Sequence, residues 1–212
     1  MTARIRYLAE LFFSWTIFFA LARWLFLFYQ YDQLSPLTFR DYLMVSGLGL
    51  RMDLSMAGYF TLVAGFLLSI SAPLPDKAVA TILHTVNGLF LLASTLVIIP
   101  DLELYRHWGY RIDATPLMYL RPEGFASAGT GKLILLTILW LIITTGAMFF
   151  YRRFLVKSST FGNRKFSTTL PLLAVSALLF IPIRSGFGVA PLNTGFVYYH
   201  RTLAFQIGRA HV

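Results

Sequence analysis

The residues able to do chemistry in this chain gather in short polar breaks between apolar runs. Gly49-Leu50-Arg51-Met52-Asp53-Leu54-Ser55 sets an arginine and an aspartate two positions apart, where the apolar run Leu54 to Ala72 begins. Asp101, Glu103, Arg106 and Arg111 follow the next run, Arg23 interrupts the first, and Arg184 follows the last. Charges at the edge of hydrocarbon are costly unless paired, and guanidinium also matches phosphate through parallel hydrogen bonds. The chemistry on offer is therefore a structural ion-pair cluster or recognition of an anionic lipid headgroup. Two partners are open for each central charge: Arg23 or Arg111 for Asp53, and Asp101 or Glu103 for Arg51.

Other chemistries lack their residues. The chain has no cysteine, which removes disulfides, thiolate metal sites and a cysteine nucleophile. His84, His107, His200 and His211 are scattered among a span, a loop and the tail, with no paired metal-ligand spacing. Gly129-Thr130-Gly131-Lys132 matches part of a phosphate loop, but Leu133 stands where Ser or Thr is required. A helix entry with a snorkelling lysine is expected there. No Gly-x-Ser-x-Gly elbow is present. His84 and Asn87, three apart, share a helix face and are expected to hydrogen-bond between helices.

The elements that position these groups are membrane spans. Of the 212 residues, 57% are hydrophobic, 17% aromatic and only 13% charged, with a mean hydropathy of +0.67. The net charge of +9 comes from basic residues between apolar runs, a pattern that fits topology signals beside anionic lipid and no nucleic-acid partner. The expected fold is an all-α membrane protein with five transmembrane helices, at about 8–29, 54–72, 78–99, 133–151 and 168–183. Phe39 to Leu50 is expected to form a short interfacial helix before the second span, started by Ser35-Pro36 or by Thr38-x-x-Asp41. Pro73 and Pro75 end the second span, Pro100 the third, and the short fifth holds Pro171 and Pro182. Ala20-Leu21-Ala22 fits a signal-peptidase site, but the apolar run continues to Tyr29, so an uncleaved first helix is expected.

Arg152, Arg153, Lys157, Arg164 and Lys165 make an all-basic connector, whereas the segment from Asp101 to Lys132 is balanced and carries Tyr105, Trp108, Tyr110 and Tyr119 as interfacial aromatics. The positive-inside rule then places the N-terminus inside and the C-terminus outside. On that orientation Arg23, Arg51, Asp53, Asp101, Glu103, Arg106, Arg111 and Arg184 lie together at the outer end. Residues 184–206 form a Gly- and Pro-rich outer linker. Residues 207–212 match the translation of a common sequencing adapter, so the natural sequence is expected to continue beyond Phe205 or Gln206.

On these residues the chain resembles the N-terminal membrane domain of the lipoteichoic-acid-synthase-like phosphoglycerol transferases, sulfatase-fold members of the alkaline phosphatase superfamily. The shared features are Gly49-x-Arg51-x-Asp53-Leu54-Ser55, Asp101-x-Glu103-x-Tyr105 with Gly109-x-Arg111, and Gly186-x-Gly188-x-x-Pro191-Leu192-Asn193, each at a span end. The resemblance covers roughly residues 8 to 205. It implies a bacterial cytoplasmic-membrane anchor for an external catalytic domain, absent here, in which a Thr or Ser nucleophile and a divalent metal move a lipid headgroup. It assigns no catalytic residue, metal ligand or cofactor within these 212 residues. The partners it implies are membrane lipids and the missing domain. A non-enzymatic five-span lipid-binding or sensor module and the membrane domain of a phosphoethanolamine transferase are the alternatives. A small transporter is disfavoured, because the charges gather at one end and no repeat is visible.

Overall fold

A computed structural model of the chain describes residues 2–32, 38–108, 129–155 and 169–185, and every regular element among them is an α-helix. The helices are α1 (Thr2–Tyr29), α2 (Phe39–Ile70), α3 (Asp76–Trp108), α4 (Thr130–Phe154), α5 (Thr169–Leu178) and α6 (Phe180–Arg184). Helix is what this composition dictates: in hydrocarbon each backbone polar group must be satisfied within its own segment. The first four helices hold 28, 32, 33 and 25 residues. At 1.5 Å per residue they run roughly 38 to 50 Å, more than the ~30 Å hydrocarbon core. All four are long and apolar enough to cross a membrane, and the α5–α6 unit, Thr169–Arg184, is apolar but shorter.

Local chemistry sets the boundaries. Thr38 caps α2 reciprocally: its hydroxyl accepts from the Asp41 N–H at 3.4 Å, while the Thr38 N–H donates to Asp41 Oδ2 at 2.8 Å. Of the two helix starts offered by the sequence, this capping box is the one used. Gly129 precedes α4 at φ 76°, and Ser185 closes α6 in the left-handed region at φ 62°.

Three expectations are corrected. Phe39 to Leu50 is not a separate interfacial helix but the first part of a continuous α2. Nothing in that stretch breaks helix: it has no proline, and Ser46 returns its hydroxyl to the Tyr42 carbonyl at 2.8 Å. α3 does not stop before Pro100 but runs through it to Trp108, because a proline costs the helix one hydrogen bond and the flanking turns continue. The last apolar stretch is two pieces broken at Leu179. Pro182 has no N–H to return to the Leu178 carbonyl, and its ring crowds that carbonyl. Pro171 sits in the first turn of α5, where a missing N–H is tolerated.

α2 is the centre of the bundle. Half of its most apolar window is enclosed by protein, against none of that of α4. It packs chiefly on α1 along one side and on α5 and α6 along another, while α4 packs on α3. Small residues make the contacts of α2 with α5 and α6 close: a side chain at Gly65 would collide with the Ser176 hydroxyl of α5, and one at Gly58 would lie 2.7 Å from Ile183 Cγ1 of α6. Such small-residue contacts let helices associate where lipid supplies no hydrophobic drive. Trp15, Phe60 and Phe90 fill the middle, with the Trp15 and Phe60 rings edge to face at 4.8 Å and Phe60 stacked on Phe90 at 4.5 Å.

Polar side chains cross the bundle in pairs. Trp15 Nε1 donates to Asn87 Oδ1 at 3.2 Å, His84 Nδ1 lies 2.9 Å from the Tyr151 hydroxyl, and Trp140 Nε1 donates to Thr95 Oγ1 at 3.2 Å. His84 and Asn87 thus make the interhelical hydrogen bonds expected of them.

Candidate functional site

The antiparallel helices bring the ends of α1, α3 and α6 together with the starts of α2 and α4, here called the Glu103 end. Three groupings of charge lie there, built on different helix pairs.

The first joins α1 to α2. Gly49 and Asp53 are four residues apart, hence one turn apart on one face, and that face meets Arg23. The Arg23 guanidinium donates to the Ser46 carbonyl at 3.1 Å, to the Gly49 carbonyl, and to Asp53 Oδ1 at 2.6 Å. Its side chain is 16% exposed and that of Asp53 9%. Gly49 is required by this contact, since a Cβ there would overlap the guanidinium. Of the two partners open for Asp53, Arg23 is the one bound; Arg111 lies outside the described residues.

The second joins α1, α3 and α4 around Glu103. The Tyr29 hydroxyl donates to Glu103 Oε2 at 2.7 Å and Lys132 Nζ to Oε1 at 2.6 Å. Gln30 Nε2 donates to the Leu102 carbonyl at 2.6 Å, and Arg106 Nη2 lies 3.8 Å from Asp32 Oδ2 at the exposed edge. Asp101 is almost wholly buried. Lys132, the lysine of the incomplete phosphate loop, is therefore an ion-pair partner in the first turn of α4.

The third lies where α2 meets α6. The Ser55 hydroxyl donates to the Ile183 carbonyl at 2.8 Å. Beside it a cavity of about 400 Å³ is walled by Met52, Met56, Tyr59, Phe180 and Ile183, with Arg184 on its lining. Arg51 is one turn from Ser55 on the same face of α2. It is exposed and makes no ion pair among the described residues.

That last observation corrects the proposed pairing of Arg51 with Asp101 or Glu103. Residues two apart on a helix stand about 200° apart, so while Asp53 faces α1, Arg51 faces away from it. Glu103 is already held by Tyr29 and Lys132. The structure thus resolves one anticipated cluster into two neutralised networks and one arginine-bearing cavity. Tyr29, Gln30, Asp32 and Lys132 are site residues that the sequence reading did not include. A polar or charged residue beside a span end was the available signal for each.

Among the described residues no group of three or more His, Asp or Glu side chains is placed to hold a metal ion. The motif Gly186 to Asn193 and residues 186–212 as a whole lie outside the described part. Comparison with protein-family models, with curated proteins and with solved structures found no match to this chain.

Proposed function

We propose that this chain is the membrane anchor and lipid-presenting domain of an extracytoplasmic phosphoglycerol or related headgroup transferase of sulfatase fold. The observation that carries the reading is the cavity between α2 and α6. Its walls are methionine, aromatic and aliphatic side chains, and Arg184 lies at the end where α6 terminates. Apolar walls below a guanidinium form an amphiphile site: the walls take the acyl region and the cation takes the phosphate.

The sidedness in this reading comes from charge. With Arg152 and Arg153 on the cytoplasmic face, α5–α6 makes the fifth crossing and delivers Arg184 to the outer leaflet. The 16 residues of Thr169–Arg184 reach only roughly 24 Å against a ~30 Å core, a mismatch met by local thinning and by arginine snorkelling at the end. The motif Gly49-x-Arg51-x-Asp53 acquires a division of labour. Gly49 and Asp53 lock α2 to Arg23, which leaves Arg51 exposed one turn before Ser55.

The test is made in the full-length protein. Arg51→Ala with Arg184→Ala is expected to slow lipid headgroup turnover by about ten-fold, the loss of one charge-assisted phosphate contact, with thermal unfolding unmoved. Arg111→Ala is expected to act in the same direction. Unchanged turnover in the Arg51/Arg184 double variant would remove the cavity from the mechanism and favour a module whose outer domain does no lipid chemistry.

A further inference from the structure

A second concavity lies on the opposite side of the bundle, away from the α2–α6 mouth. α1 and α4 both flank α3 without packing closely on each other, and the gap between them is a groove of about 410 Å³. Leu11, Trp15, Phe18 and Leu25 form one wall, Ile143, Gly146, Ala147 and Tyr151 the other, and Leu91 and Ile98 the floor. Its lining is almost wholly apolar. The two polar side chains that touch it are engaged elsewhere: the Ser14 hydroxyl donates to the Glu10 carbonyl at 2.7 Å, and the Tyr151 hydroxyl meets His84 at 2.9 Å. Ile17, Leu21 and Phe150 are exposed on its rims, so the groove opens sideways into hydrocarbon.

Dimensions decide what fits. From Leu11 to Leu25 the groove follows α1 for roughly 21 Å. That length and the apolar lining suit one polymethylene chain. One end is also marked by charge. Tyr151 and Leu155 line the groove where α4 finishes, and Arg152, three positions before Leu155 and so next to that face, is exposed and makes no ion pair among the described residues.

We infer that the α1–α4 groove binds one acyl chain of an anionic glycerophospholipid from the leaflet on the Arg152 side, with the phosphate against Arg152. This site is separate from the α2–α6 cavity and from the opposite leaflet. The pairing of basic residues with an interhelical groove is the arrangement by which membrane proteins hold anionic lipid headgroups.

Gly146 makes a clean test. A Cβ there meets nothing within 4 Å, so Gly146→Leu has room to start its side chain at the groove that Gly146 lines, and leucine favours helix over glycine. The delipidated full chain is titrated with phosphatidylglycerol or phosphatidylcholine at equal concentration and read by native mass spectrometry. The unaltered chain is expected to retain phosphatidylglycerol in preference. Gly146→Leu is expected to weaken retention of both lipids about ten-fold, the loss of contact with roughly two methylenes, with thermal unfolding unmoved or raised. Arg152→Gln is expected to abolish the preference for phosphatidylglycerol while leaving the phosphatidylcholine signal. Equal retention by Gly146→Leu and the unaltered chain would overturn the assignment, as would a preference that survives loss of Arg152. A dimer that Gly146→Leu dissociates would instead assign the groove to a second copy.

Discussion

At Arg23 the chain resolves an ordinarily forbidding problem, a guanidinium placed within a span. Its charge is met by Asp53 and two further N–H groups by the Ser46 and Gly49 carbonyls. Removing one partner of a buried pair leaves the other charge uncompensated, at a cost of about 3–5 kcal/mol. Asp53→Asn is therefore expected to lower thermal stability in detergent or nanodiscs steeply, whereas Arg51→Ala should stay within about 0.5 kcal/mol, as an exposed unpaired residue does. Gly49→Ala is expected to be destabilising as well, because a Cβ there overlaps the Arg23 guanidinium. If Asp53→Asn and Arg51→Ala behave alike, the lock is not where the structure puts it. Half of this was legible in the sequence: spacing showed that Arg51 and Asp53 sit at a span mouth, and Arg23 was one of two partners offered for Asp53. The separation of Arg51 from Asp53 onto opposite sides of α2 followed from helical geometry alone. The hold of Lys132 and Tyr29 on Glu103 depended on how α1, α3 and α4 converge, which no local spacing encodes.

Among the elements, α2 and the broken α5–α6 unit carry the most consequence. Their interface depends on Gly58 and Gly65 standing where larger residues would collide with Ile183 and Ser176. Gly65→Ala is expected to cost about 1–3 kcal/mol by overpacking. Ser176→Gly in the same chain should relieve most of it, so the two changes should be strongly non-additive in a double-mutant cycle. Additive effects would show that the two residues do not meet. The Thr38–Asp41 capping box was readable because its chemistry is local to four consecutive residues. The fates of the prolines were not, since local sequence does not say how neighbouring turns respond. Pro100 is absorbed inside α3, while Pro182, three residues after Leu179, accompanies a break. The separate helix expected over Phe39 to Leu50 reflected a drop in hydropathy, and hydropathy reports where a helix leaves hydrocarbon rather than where it ends.

The whole molecule reads as a multi-pass membrane bundle with a charge lock between α1 and α2, an arginine-lined cavity between α2 and α6, and an apolar groove between α1 and α4. The composition and the four long apolar helices carry the membrane assignment. The functional proposal adds sidedness, and with it the claim that Arg184 and Arg153 face opposite compartments. The absence of cysteine makes that claim directly measurable. Single cysteines are placed at Arg153 in the last turn of α4 and at Ser185 after α6, and intact cells are treated with a membrane-impermeant maleimide before and after permeabilisation. The account predicts that Ser185→Cys is labelled in intact cells and Arg153→Cys only once the membrane is opened. Labelling of both positions from one side would mean that α5–α6 does not cross, and would contradict delivery of the α2–α6 cavity to the outer leaflet.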